Sequence, residues 1–245
     1  MGAIDLTELA ARYGGSRPLH GYLVKPGGEG PWPGVVLVHE AFGLDDVMRR
    51  QTDRLAEAGY LALAVDLYSA GGARRCLVST MAALLKGEGR AFHDIDTARV
   101  WLTESPDCTG EVGVIGFCMG GGFALLTAAK GFDASSVNYG MLPRDIDSAL
   151  AGACPVVASY GAKDVLLRSA PAKLETALTK AGIPHDVKQY PTAGHSFLND
   201  TETGPRVLRP LLRIQVRARI RPPRPTRGSG SRLSSASISG SGRDG

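Results

Sequence analysis

Gly116-Phe117-Cys118-Met119-Gly120-Gly121-Gly122 separates an apolar run, Glu111 to Gly116, from an amphipathic segment extending from about Met119 to Lys130. A strand that turns sharply into a helix, with one reactive side chain at its apex, crowds the residues two positions to either side. Both must therefore lack a Cβ. Gly116 and Gly120 flank Cys118 at that spacing. The turn sets Cys118 at the positive end of the following helix, where a thiolate is favoured and backbone N–H groups can hold an oxyanion. A lone cysteine beside a glycine turn reads equally as a buried structural residue. The two glycines and the strand-to-helix context favour a nucleophile elbow.

Outward from this turn, short apolar runs alternate with longer amphipathic ones between Gly21 and about Tyr190, the rhythm of βα units around a mostly parallel sheet. Gly34 to His39, Tyr60 to Leu67, Glu111 to Gly116 and Pro155 to Tyr160 read as buried strands. Asp186 to Tyr190 reads as a short final strand, and Ser135 to Gly140 as a further candidate. Helical spacing runs from Asp46 to Ala58, ending at Gly59, and from Pro171 to Ala181, capped by Gly182. Residues 74 to 103 read as helical with a break around Gly87 to Gly89.

A thiol nucleophile needs a base, and Ala193-Gly194-His195-Ser196-Phe197 follows the last strand, where a loop can return over the sheet edge. His20, His93 and His185 lie in no such loop and read as surface or capping residues; no histidines are paired at metal-ligand spacing. Asp164, in Tyr160-Gly161-Ala162-Lys163-Asp164, stands just past an apolar strand, where a carboxylate can orient an imidazole. Alone it would read as a turn or N-cap aspartate. The order nucleophile, acid, base is that of the α/β-hydrolase fold, a mostly parallel sheet with helices on both faces. Val38-His39-Glu40-Ala41-Phe42-Gly43 follows the first long apolar strand, where this fold supplies a second oxyanion donor, and Ala41 N–H is the candidate. Glu40 is either a solvated loop charge or a group poised near the nucleophile.

The chain has 245 residues, 43% of them hydrophobic, enough for one sizeable core and a single expected domain over 1–205. Residues 206–245 hold ten Arg against one Asp, a charge of +9, whereas the first 205 residues carry 18 basic and 23 acidic side chains, or −5. This Arg/Pro/Ser/Gly tail shows no sustained period and is expected to be disordered. No run of about 18 apolar residues and no signal peptide is seen, so a soluble cytoplasmic protein is expected. Cys76, Cys108, Cys118 and Cys154 form no CxxC pair, and reduced thiols are expected.

The stretches His39 to Gly43, Val65-Asp66-Leu67-Tyr68, Gly116 to Gly121, Tyr160 to Asp164 and Ala193 to Phe197 together resemble the dienelactone hydrolase (carboxymethylenebutenolidase) family over roughly residues 20–205. The resemblance implies hydrolysis of an enol-lactone through a thioester at Cys118, with His195 and Asp164 completing a triad. It implies oxyanion donors at Ala41 and Met119, and a Glu40 that holds the resting thiol and swings on substrate binding. It requires no cofactor or metal. In the family an arginine four residues past the histidine binds the substrate carboxylate; here that position is Asn199. The segment that supplies a second arginine is shortened, leaving Arg74, Arg75 and Arg90 unassigned. The family's long C-terminal amphipathic helix is replaced by the Arg-rich tail, as a reading-frame shift or a genuine basic tail would produce.

Three functions follow. The first is an ester or lactone hydrolase acting on a small molecule, with no membrane or specific nucleic-acid partner, as a monomer or weak homo-oligomer. A second is a non-catalytic hydrolase-like protein whose tail binds nucleic acid or an anionic surface by counterion release. A third is a cysteine peptidase with the same triad, though family-specific protease signatures are missing.

Overall fold

The computed structural model describes residues 2–199. Fifteen elements follow one another as β1 (Gly2–Asp5), α1 (Thr7–Arg12), β2 (His20–Val24), β3 (Trp32–Val38), α2 (Asp46–Glu57), β4 (Leu61–Asp66), α3 (Gly72–Lys86), α4 (Arg90–Thr103), β5 (Cys108–Phe117), α5 (Met119–Thr127), β6 (Ala134–Asn138), α6 (Ile146–Ala149), β7 (Val156–Gly161), α7 (Ala170–Ala181) and β8 (His185–Tyr190). The expected α/β architecture is present, and every strand expected from an apolar run is found. The break around Gly87 to Gly89 separates α3 from α4.

The strands form one eight-stranded sheet in the order β1-β2-β4-β3-β5-β6-β7-β8. Pairing is parallel from β4 through β8, and antiparallel where β1 meets β2 and β2 meets β4. Val35 to Val38 and Leu61 to Val65 are buried throughout, because a parallel strand covered on both faces reads as an unbroken apolar run rather than an alternation. The edge strands β1 and β2 are short, and β2 buries only Gly21 and Val24. That weak pattern is why they were not legible in advance.

One face of the sheet packs Val36, Leu63, Val65 and Val114 against Phe92, Ile95 and Leu102 of α4, Phe123 and Leu125 of α5, and Leu174 and Leu178 of α7. The other face packs Leu37 and Ala64 against Val47 and Met48 of α2. The side chain of Asp45 accepts from Met48 N–H at 3.0 Å and caps α2. A cavity of about 720 Å³ borders Val35, Ile115, Val157 and Asp186 and contains none of the expected site residues. The Arg-rich tail, 206–245, lies outside the described residues.

Strand β3 pairs with β4 on one side and β5 on the other, so the chain reverses its direction of travel across the sheet there. In an open α/β sheet such a switch point leaves a crevice beyond the carboxyl ends of the strands, the position where ligands bind. Val38 is level with Gly116, and Phe117 with Asn138. The segments after β3, β5 and β6 therefore emerge side by side.

Candidate active site

Cys118 occupies the N-cap of α5 with φ +53 and ψ −112. A non-glycine residue held there stores about 1–3 kcal/mol, and surrounding bonds must hold it in place. Cys118 N–H donates to the Asn138 carbonyl at 3.0 Å, and Asn138 Nδ2 donates to the Gly116 carbonyl at 3.2 Å. A Cβ on Gly116 would lie 1.9 Å from the Gly120 oxygen, and one on Gly120 would lie 2.1 Å from the Val38 oxygen. The first glycine lets the turn close on itself; the second lets α5 approach the end of β3.

His195 Nδ1 donates to Asp164 Oδ2 at 2.6 Å, and Nε2 lies 3.1 Å from Cys118 Sγ. The structure thus brings together three side chains separated by up to 77 positions. Asp164 is wholly buried and also accepts from Leu166 N–H at 3.2 Å. The loop reaches Asp164 through a close approach that the sequence reading missed: a Cβ on Gly161 would lie 2.4 Å from the Gly194 oxygen. Burial by itself would lower the imidazole pKa, but the hydrogen bonds and charges of Asp164 and Cys118 outweigh it and raise it to about 10.

Glu40 is 2% exposed. Its Oε1 accepts from Asn199 Nδ2 at 3.1 Å, the Tyr139 hydroxyl at 3.2 Å and the Ser196 hydroxyl at 3.3 Å. Burial raises the Glu40 carboxyl above its usual pKa, with Asn199, the His195 charge, Tyr139 and Ser196 opposing. Of the two readings left open for Glu40, the solvated loop charge is ruled out. Ala41 follows β3 and packs partly buried against the core. Met119 opens α5, so its N–H has no carbonyl one turn back to bond.

A cavity of about 660 Å³ opens on Cys118 and His195. Its wall is largely apolar, with Met141, Leu142, Ile146 and Leu167, and it carries two cations, Arg144 and Lys173. Arg74, Arg75 and Arg90 do not line it. Among the described residues no group of three His, Cys, Asp or Glu side chains could hold a metal ion, and no helix is long and apolar enough to cross a membrane. All four cysteines are unpaired.

The sequence matches the model of the dienelactone hydrolase family over residues 19–209. The chain belongs to that family. Members of the dienelactone hydrolase family that it resembles include the carboxymethylenebutenolidase of Pseudomonas putida, 27% identical over 195 residues that span 75% of this chain and 83% of that protein. Among solved structures, a dienelactone hydrolase-like promiscuous phosphotriesterase from metagenomic libraries superposes with a TM-score of 0.67 at 27% identity, covering 80% of this chain and 82% of that one. The dienelactone hydrolase from Anabaena variabilis gives 0.61 at 25% identity, covering 79% and 86%. By family, then, the chain is an ester or lactone hydrolase.

Tyr139 is the residue of this dienelactone hydrolase site most plainly missed. The sequence reads Ser135 to Gly140 as one candidate strand, whereas β6 stops at Asn138 and Tyr139 turns with φ +40. Its ring is fully buried, meets the His195 ring edge-on at 5.1 Å and bonds Glu40. Its place at a strand's carboxyl end was the available signal.

Proposed function

We propose that the chain hydrolyses a lactone or carboxylic ester by forming a thioester on Cys118, with His195 as base and Asp164 as its orienting carboxylate. The observation that carries this reading is the continuous line from Asp164 through His195 to the Cys118 sulfur, at 2.6 and 3.1 Å, at the mouth of the cavity. A nucleophile, a base within reach of it and a third group orienting that base make up the pattern of covalent catalysis.

The Cys118 sulfur attacks the carbonyl carbon, whose π electrons move onto oxygen. The Ala41 and Met119 N–H groups receive that oxyanion. As the tetrahedral species collapses, the C–O bond breaks and the leaving alkoxide takes the proton from His195 Nε2. Water then attacks the thioester, giving its proton to His195, and the C–S bond breaks to release the acid and regenerate the sulfur nucleophile. Glu40 lies close enough to His195 to feel its charge. A carboxylate whose pKa is raised is a stronger base, and its rotation away from Asn199 on substrate binding helps draw off the thiol proton.

The substrate combines an apolar body with an anionic group. The apolar wall of the cavity accepts the first, and Arg144 and Lys173 face the second, in place of the family arginine where Asn199 stands. Substrate-derived mass on Cys118 during turnover of an aryl ester or lactone tests the reading; full activity in Cys118→Ala would exclude it.

A further inference from the structure

His39 directly follows β3 and is fully buried. Its Nε2 accepts from Leu67 N–H at 3.1 Å, just past β4. An amide N–H can only donate, so Nε2 offers its lone pair and the ring hydrogen sits on Nδ1. Nδ1 donates to the Glu40 carbonyl at 2.6 Å, and the same oxygen accepts from Gly43 N–H at 3.1 Å. Burial lowers the His39 pKa, in keeping with a neutral ring. A buried histidine bonded through both nitrogens is common in protein cores. What sets this one apart is the carbonyl it holds.

That carbonyl belongs to the same planar unit as the Ala41 N–H. In a trans peptide the C=O and N–H point in opposite directions, so fixing one fixes the other. The next peptide is held as well, because the Tyr68 hydroxyl donates to the Ala41 carbonyl at 3.1 Å. The same hydroxyl lies 3.6 Å from the Met119 sulfur, and the Tyr68 ring meets His39 edge-on at 4.7 Å. Gly43 turns with φ +92, and a Cβ there would lie 3.1 Å from the Tyr68 ring, so the loop closes directly onto that ring. Both planar units flanking Ala41 are thus tied to side chains that lie just past β3 and β4.

We propose that His39 and Tyr68 are positioning residues for the oxyanion hole, clamping the peptides on either side of Ala41 and aiming its N–H at the reacting carbonyl. The inference rests on the thioester reading above. It gives these two side chains an effect on transition-state stabilisation without contact to the substrate.

The test compares two reactions of Cys118 in the full chain. Hydrolysis of an aryl ester builds an oxyanion. Alkylation by iodoacetamide displaces iodide from carbon and builds none, yet uses the same sulfur and imidazole. Losing one oxyanion donor lowers kcat by about 10²–10³, so His39→Leu should lower ester kcat about a hundredfold and Tyr68→Phe, which leaves one tie in place, about tenfold. KM and the alkylation rate should stay within about twofold of the wild type. His39→Asn, which restores an N–H near Nδ1, should recover most of the loss. Ester and alkylation rates falling together, or an unchanged ester kcat in His39→Leu, would overturn the clamp. Should His39→Leu not fold, Tyr68→Phe, lacking a single oxygen, decides alone on the same criteria. Retention of ester turnover in Cys118→Ala would instead remove the thioester reading and the clamp with it, whereas a Cys118-dependent wild type with unaffected variants removes the clamp alone.

Discussion

Asn199 donates its side-chain amide to Glu40 Oε1 at 3.1 Å, so a neutral group holds the buried carboxyl where the dienelactone family places an arginine. Burial outweighs these contacts and raises the Glu40 pKa. A carboxyl whose folded pKa exceeds its unfolded value binds its proton more tightly in the folded state. The resulting stability is present below the ordinary carboxylate pKa of 4.5 and is lost as pH rises through the higher folded value.

Glu40→Gln removes that loss. The variant should melt at a higher temperature than the wild type at pH 8, with the difference vanishing near pH 4, as differential scanning calorimetry would show. The same variant should acylate about tenfold more slowly or worse, since a positioned general base contributes at least that much. Unchanged single-turnover acylation would take Glu40 out of the mechanism.

On the proposed thioester mechanism, the raised His195 pKa sets the alkaline limit of activity. The imidazole keeps its proton up to about 10, so it can protonate the leaving alkoxide through neutral pH and loses that capacity as pH climbs through that value. kcat/KM for an aryl ester should hold its plateau from neutral pH to about 9 and then fall. A decline centred near 6.5, the ordinary histidine value, would show that Asp164 and Cys118 do not stabilise the imidazolium.

Arg144 and Lys173 are exposed at the cavity and face solvent on one side, so each contributes modestly. Arg144→Ala and Lys173→Ala should each raise KM about fivefold for a carboxylate-bearing ester, the effect of about 1 kcal/mol expected of an exposed charge pair. A neutral ester of similar size should be unaffected. Equal effects on both esters, in steady-state kinetics over a range of salt, would mean that these cations do not read substrate charge.

The elbow should not tolerate a methyl group. Gly116→Ala puts a carbon where the Gly120 oxygen lies 1.9 Å away, an overlap with backbone that no rotamer relieves. A loss of about 3 kcal/mol or more is expected from overpacking of this kind. Urea denaturation would measure it, and a wild-type midpoint would mean that the turn relaxes freely.

The central sheet and the Cys118, Asp164 and His195 positions were legible because each rests on local pattern. Val35 to Val38 are apolar without interruption, and Gly116 and Gly120 stand at fixed distance from Cys118. Tyr139, His39 and Tyr68 act through contacts between segments 27 to 99 positions apart, which spacing along the chain does not encode. The edge strands β1 and β2 escaped for a different reason: short strands at a sheet margin bury too little to show a period. Arg144 escaped too, because one exposed arginine in a loop resembles any other until the fold sets it beside Cys118.

The most direct test is mass-spectrometric mapping of the protein quenched in acid during turnover of a lactone and ester panel, alongside Cys118→Ala. The thioester account predicts substrate-derived acyl mass on the peptide carrying Cys118, formed at the rate of the first turnover and missing in the variant. Turnover with no acyl group on Cys118, or persisting in Cys118→Ala, would contradict it.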